Sequence, residues 1–151
     1  NIKKICEIVT KEKMELIIKQ HPDLGEHNLS EQFFKEFPDI KVIKYGEILD
    51  LLLESQYVIS LGFSSTILEA QVLDKPVISL SVDHDVYETP KNVLDSCLVS
   101  NIENFEESFV RLIKDSEFCE KIIKNSNKQL ESDFTNMGNS AENILKEISK
   151  I

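Results

Sequence analysis

The sequence predicts a three-layer α/β domain built on a parallel sheet, with a helical C-terminal segment. Three observations predict it. Short apolar runs rich in Ile and Val alternate with longer stretches of helical periodicity, the pattern of strands joined by crossover helices. Proline, glycine and histidine punctuate these runs at His21-Pro22, Pro38-Asp39, Gly46, Gly62 and Pro76. The 151 residues suit one domain, and a hydrophobic share of 41% is enough for a core.

The elements follow in order. Residues 2–12 read as an amphipathic helix with Ile2, Ile5, Cys6 and Val9 on one stripe. Met14 to Lys19 reads as a strand that stops at His21-Pro22, and Asp23 to Ser30 is polar and loop-like. Ser30 can cap a short helix whose Phe33, Phe34 and Phe37 are expected in the core. After Pro38-Asp39, Lys41 to Tyr45 forms a strand closed by Gly46, and Ile48, Leu51, Leu52 and Leu53 mark a helix to about Ser55. A strand over 57–61 leads through Gly62-Phe63-Ser64-Ser65-Thr66 into a helix ending near Leu73. The next strand, Pro76 to Val82, has proline first, where no ladder donor is lost. Asp83 to Lys91 is an irregular loop, a short strand falls near Cys97-Leu98-Val99, and helices from about Glu103 break near Asp115-Ser116 and between Thr135 and Asn139.

Charge and cysteine content narrow the function classes. A net charge of −10 repels nucleic-acid backbones and argues against general binding to anionic membranes. No apolar run approaches the roughly 20 residues that span a bilayer. Cys6, Cys97 and Cys119 lie among apolar neighbours without metal spacing, so buried free thiols and a cytoplasmic location are expected. His21, His27 and His84 offer no zinc spacing, and no cofactor is expected.

A parallel sheet gathers its strand carboxyl ends along one edge, where ligands bind. His21, Tyr45-Gly46, Gly62 to Thr66 and Ser81 to His84 are therefore expected to converge. Ser64, Ser65 and Thr66, following Gly62 at a helix start, suit phosphate, because small residues admit a ligand to free backbone amides. A purely structural role competes. Thr66 and Glu69 have the Thr-x-x-Glu spacing of a capping box. Glu69 can instead accept two hydrogen bonds from a vicinal diol. His21 can donate to a diphosphate or be an ordinary strand-end residue. Asp83-His84-Asp85 resembles a fragment of an acid–base relay, but no nucleophile accompanies it.

Lys19-Gln20-His21-Pro22, Tyr45-Gly46, Gly62 through Ala70, and Lys75-Pro76-Val77-Ile78 stand in this order along the chain. Together they resemble the carboxyl-terminal, nucleotide-binding half of GT-B-fold glycosyltransferases. The nearest branches are the UDP-N-acetylglucosamine 2-epimerase-like enzymes and the CDP-glycerol or capsule-polymer transferases. The similarity covers roughly residues 10–82, about half the chain. It implies a Rossmann-like sheet and a UDP- or CDP-activated sugar or polyol as ligand. It also implies His21 on the donor diphosphate, Ser64, Ser65 and Thr66 on phosphate, and Glu69 on the ribose hydroxyls. Gly62 would belong to the same donor-binding site, and the stretch Lys44 to Glu47, with Tyr45 and Gly46, would border the base through its backbone.

The chain departs from that family by starting in a helix at Asn1. The family's strand order is 3-2-1-4-5-6 and its acceptor-side half comes earlier. We therefore expect a fragment of a longer enzyme. Either the first strand lies upstream of Asn1 or the sheet closes as 3-2-4-5-6. A non-catalytic α/β binding or regulatory domain is the competing class. A receiver-like domain would need acidic strand ends, and only Asp83 and Asp85 are offered.

Overall fold

The structure is a computed structural model that describes residues 1–20, 29–81, 96–134 and 138–150. His21, His27 and the Asp83-His84-Asp85 loop lie outside the described residues. Helix α1 spans Ile2–Lys11, strand β1 Ile17–Lys19, α2 Glu31–Glu36, β2 Lys41–Ile43, α3 Ile48–Glu54 and β3 Val58–Leu61. Then come α4 over Ser65–Val72, β4 over Val77–Leu80, β5 over Leu98–Ser100, α5 over Phe105–Lys114, α6 over Ser116–Asp133 and α7 over Ser140–Ile148.

All described strand pairs are parallel, as expected, but they form two sheets rather than one. β1 pairs with β2, Ile18 opposite Val42. β4 is the centre of the other sheet, with Ser60 of β3 opposite Ser79 and Val99 of β5 opposite the same residue. The closed order 3-2-4-5-6 does not form, because β1 and β3 are not neighbours.

The layers follow from the period of two along a strand. Ile78 and Leu80 of β4 join Ile5, Ile8 and Val9 of α1 and Phe105, Phe109 and Leu112 of α5 in one buried cluster. Val77, on the opposite face, joins Leu52 of α3, Ile67 and Ala70 of α4, and Cys97 in a second cluster. Helices thus cover both faces of β4, which is why every one of its residues is buried. Burial pushes the Cys97 thiol up to about 11. Helix α6 contacts both α5 and α4, and Asn127 on it donates to the Asp74 carboxylate at 2.7 Å.

A helix end accounts for one boundary correction. β1 begins three residues later than the apolar run suggests, because Lys13 and Met14 stop α1. Lys13 takes a left-handed φ of 59°, its amide donates to Thr10 O, and the Met14 amide donates to Val9 O. This paired closure satisfies the last carbonyls of the helix. α4 ends the same way. Asp74 has φ 55°, its amide donates to Gln71 O, and the Lys75 amide donates to Ala70 O.

The aromatic cluster is also corrected. Phe33 is buried, whereas Phe34 is 45% exposed and Phe37 only half-buried. A helix of six residues has one turn to bury, so neighbouring rings cannot share its face. Cys119 is likewise only partly buried, unlike Cys6 and Cys97. Among the described residues no helix is long and apolar enough to cross a membrane.

Candidate functional site

Parallel pairing places the residues after each strand on one edge of its sheet. Tyr45 and Gly46 follow β2, Gly62 to Ser64 follow β3, Ser81 follows β4 and Asn101 follows β5. The structure therefore sets Gly62 beside Ser81 through the β4 end: the Gly62 amide donates to Leu80 O at 2.8 Å, and the Ser81 amide donates to Ser100 O at 2.9 Å.

The β3–α4 turn is built from its small residues. Gly62 has φ 73°, a left-handed conformation that side chains resist. The buried Ser60 hydroxyl fixes this turn by donating to Gly62 O at 2.9 Å. The chain then extends at Ser64, whose hydroxyl accepts from the Thr66 amide at 3.3 Å and caps α4. The Ile67 amide donates to Ser64 O.

This geometry corrects the capping-box reading. With Ser64 as N-cap, the third helical residue is Ile67, not a glutamate. Thr66 and Glu69 sit two positions too far into the helix to cap each other. Glu69 is exposed and makes no hydrogen bond or ion pair with a described residue. The Ser65 amide, ahead of the first helical bond, also has no partner among the described residues, and the Ser65 side chain is exposed. Thr66 is half-buried. One open amide, two hydroxyls and a carboxylate one turn further on thus line the start of an eight-residue helix.

The β1–β2 ends present a different surface. Gly46 adopts φ 118°, so the turn after β2 needs glycine for its backbone rather than for space. Tyr45 is 76% exposed, with the Lys44 ammonium 6.0 Å from its ring centre. Leu61 and Phe63, at the end of β3, are exposed as well. Lys19 was not singled out as a site residue from the sequence. Its ammonium donates to Gln20 O and Lys44 O, each at 3.1 Å, tying the carboxyl ends of β1 and β2 together under a positive charge. The signal was its place in Lys19-Gln20-His21-Pro22, as the last residue of β1.

Lys75-Pro76 has a structural explanation. The Lys75 ammonium donates to Leu53 O at 3.2 Å and Ser55 O at 2.8 Å, closing the C-terminus of α3. Pro76 O accepts the Val58 amide at 3.1 Å, the first rung between β3 and β4. Among the described residues no cluster of His, Cys, Asp and Glu is placed to hold a metal ion.

Comparison with curated proteins gives no match. A family model does match, that of the CDP-glycerol:poly(glycerophosphate) glycerophosphotransferases, over residues 1–150. Since that match takes in nearly every residue, both sheets and all the helices of the described residues included, the chain belongs to this family of transferases of nucleotide-activated substrates.

Proposed function

We propose that the chain is the donor-nucleotide-binding half of a GT-B-type transferase acting on a CDP-activated polyol, with an acceptor-side domain preceding it in the same enzyme. The observation that carries this reading is the start of α4. Ser64 alone caps the helix, leaving the Ser65 amide, the Ser65 and Thr66 hydroxyls and the Glu69 carboxylate available to a ligand. Family membership supports a nucleotide-activated donor.

In this reading the donor diphosphate lies at the α4 N-terminus, where the helix dipole and free donors favour negative charge. His21 donates to the same diphosphate. Lys19 has a third ammonium donor beyond the two bound to Gln20 O and Lys44 O, and it supplies positive charge nearby. Glu69 accepts from the ribose hydroxyls, and Tyr45-Gly46 border the base.

Transfer of glycerophosphate from CDP-glycerol joins an acceptor hydroxyl oxygen to the outer phosphorus. The bridging P–O bond breaks, cytidine monophosphate leaves with the bonding pair, and the hydroxyl proton passes to a base or solvent. The charge that grows on the leaving phosphate is what donors fixed at the helix start stabilise.

Calorimetric titration of the natural polypeptide with CDP-glycerol, CDP and UDP tests the reading. Cytidine nucleotides are expected to bind, and Ser65→Ala and Glu69→Gln each to weaken binding about tenfold, roughly 1.4 kcal/mol, with unchanged thermal stability. No binding of any of the three, or unchanged affinity in both variants, would leave a non-catalytic α/β domain as the better description.

A further inference from the structure

Helix α3 is apolar on nearly every side. Ile48, Leu49, Leu51, Leu52 and Leu53 make up most of it, yet Leu52 alone is buried. A helix of that composition belongs in an interior, whereas a surface helix turns polar residues outward. Leu49 and Leu53, one turn apart, are each more than half exposed, and so is Val72 of α4. The two helices are neighbours. Leu52 shares a buried cluster with Ile67 and Ala70 of α4, and the Lys75 ammonium just after α4 donates to Leu53 O at 3.2 Å. Leu53 and Val72 thus lie toward the helix ends that lead into β3 and β4, at the other end of α4 from Ser65.

The charges along this part of the chain have one sign. Between residues 45 and 75 the acidic side chains are Glu47, Asp50, Glu54, Glu69 and Asp74, and Lys75 is the single cation. Lys75 is occupied by the carbonyls of Leu53 and Ser55. Asp50 and Glu54, next to Leu49 and Leu53, are exposed and form no ion pair with a described residue.

That pattern selects among occupants. An acidic rim repels an anionic membrane and nucleic acid. A second copy docked by the same face sets one acidic rim against another, which like-charge repulsion penalises. Helix α7 also carries exposed Ile144, Leu145 and Ile148, but its Lys146 and Lys150 pair with its own Glu142 and Glu147, so it brings no surplus positive charge. We propose that the α3–α4 face docks an amphipathic helix of a separate, basic protein. The apolar stripe of that helix seats on Leu49, Leu53 and Val72, and the Lys or Arg residues flanking the stripe pair with Asp50 and Glu54. Docking there leaves the first turn of α4 open, so the contact holds the chain beside its partner without closing the β3–α4 turn.

Methyl NMR of the natural polypeptide tests this with two synthetic helical peptides that share a leucine stripe, one flanked by lysines and the other by glutamates. In the protein alone, a soluble paramagnetic probe is expected to reach the Leu49 and Leu53 methyls. The lysine-flanked peptide is expected to shift the Leu49, Leu53 and Val72 methyls, and the glutamate-flanked peptide to leave them unmoved. Leu53→Ser and Asp50→Lys are each expected to weaken binding about tenfold, with an unchanged thermal midpoint. No binding of either peptide, equal binding of both, shifts confined to another face, or unchanged affinity in both variants would overturn the proposal. So would methyls shielded from the probe before any peptide is added, because another part of the polypeptide or a second copy then already covers the face.

Discussion

The two sheets share one pairing geometry and differ in what covers them. β4 is buried along its whole length, held by a cluster on each face. β1 is half-buried throughout, and Lys41 at the start of β2 is exposed. The same parallel ladder is therefore a core element in one sheet and a ribbon in the other. Coverage by helices, not strand pairing, separates them. Their carboxyl ends differ too: a glycine turn leading to a helix start closes β3, whereas a lysine spanning two carbonyls closes β1 and β2.

Substitution in the core strand gives the largest contrast. Ile78→Ala removes a side chain that is wholly buried and is expected to cost about 2–5 kcal/mol in urea unfolding, with Ile18→Ala costing clearly less. Equal costs would mean that β1 is as well covered as β4. A smaller effect is expected at the α3 terminus. Lys75→Met loses two ammonium hydrogen bonds and should cost about 1–2 kcal/mol. A neutral result would show that water replaces the lysine there.

The β3–α4 turn allows stability and binding to be separated. Ser64→Ala deletes the cap and should lower stability by about 1 kcal/mol. Glu69→Gln is expected to stay within about 0.5 kcal/mol of wild type. A destabilising Glu69→Gln would return Glu69 to a structural role.

The smallest effect is a pH dependence at Cys97, where burial holds the thiol at about 11 against an ordinary 9.0. The folded state keeps a proton that the unfolded chain releases, so stability is full below about pH 9 and falls as pH rises toward 11. The Tm of Cys97→Ala should decline less steeply over that window than that of wild type. Parallel declines would show that other groups dominate.

Helices and strand alternation were legible because periodicity depends on residues close in sequence. The breaks at Asp115 and after Gly46 were visible for the same reason. The split into two sheets was not legible, since pairing between β1 and β3 depends on what lies between them in space. The cap was misplaced because Thr-x-x-Glu recurs within a helix as readily as at its start. Only the extended backbone of Ser64, φ −150° and ψ 144°, marks the true position. Lys19 was overlooked for a related reason: its partner, Lys44 O, is 25 residues away in sequence.

The buried Gln71 bears on how this fold can vary. Its amide donates to Ser96 O at 3.0 Å and to the Ser96 hydroxyl at 2.8 Å, pinning the chain where it approaches β5. Ser81 is pinned to Ser100 at the other end of the interval. Residues 82–95 thus connect two fixed points, and lengthening such a connection adds only about 0.6 kcal/mol of closure entropy per doubling. Evolution can therefore insert, delete or exchange residues between those anchors while β4 and β5 keep their register, giving related enzymes room to diverge without disturbing the sheet.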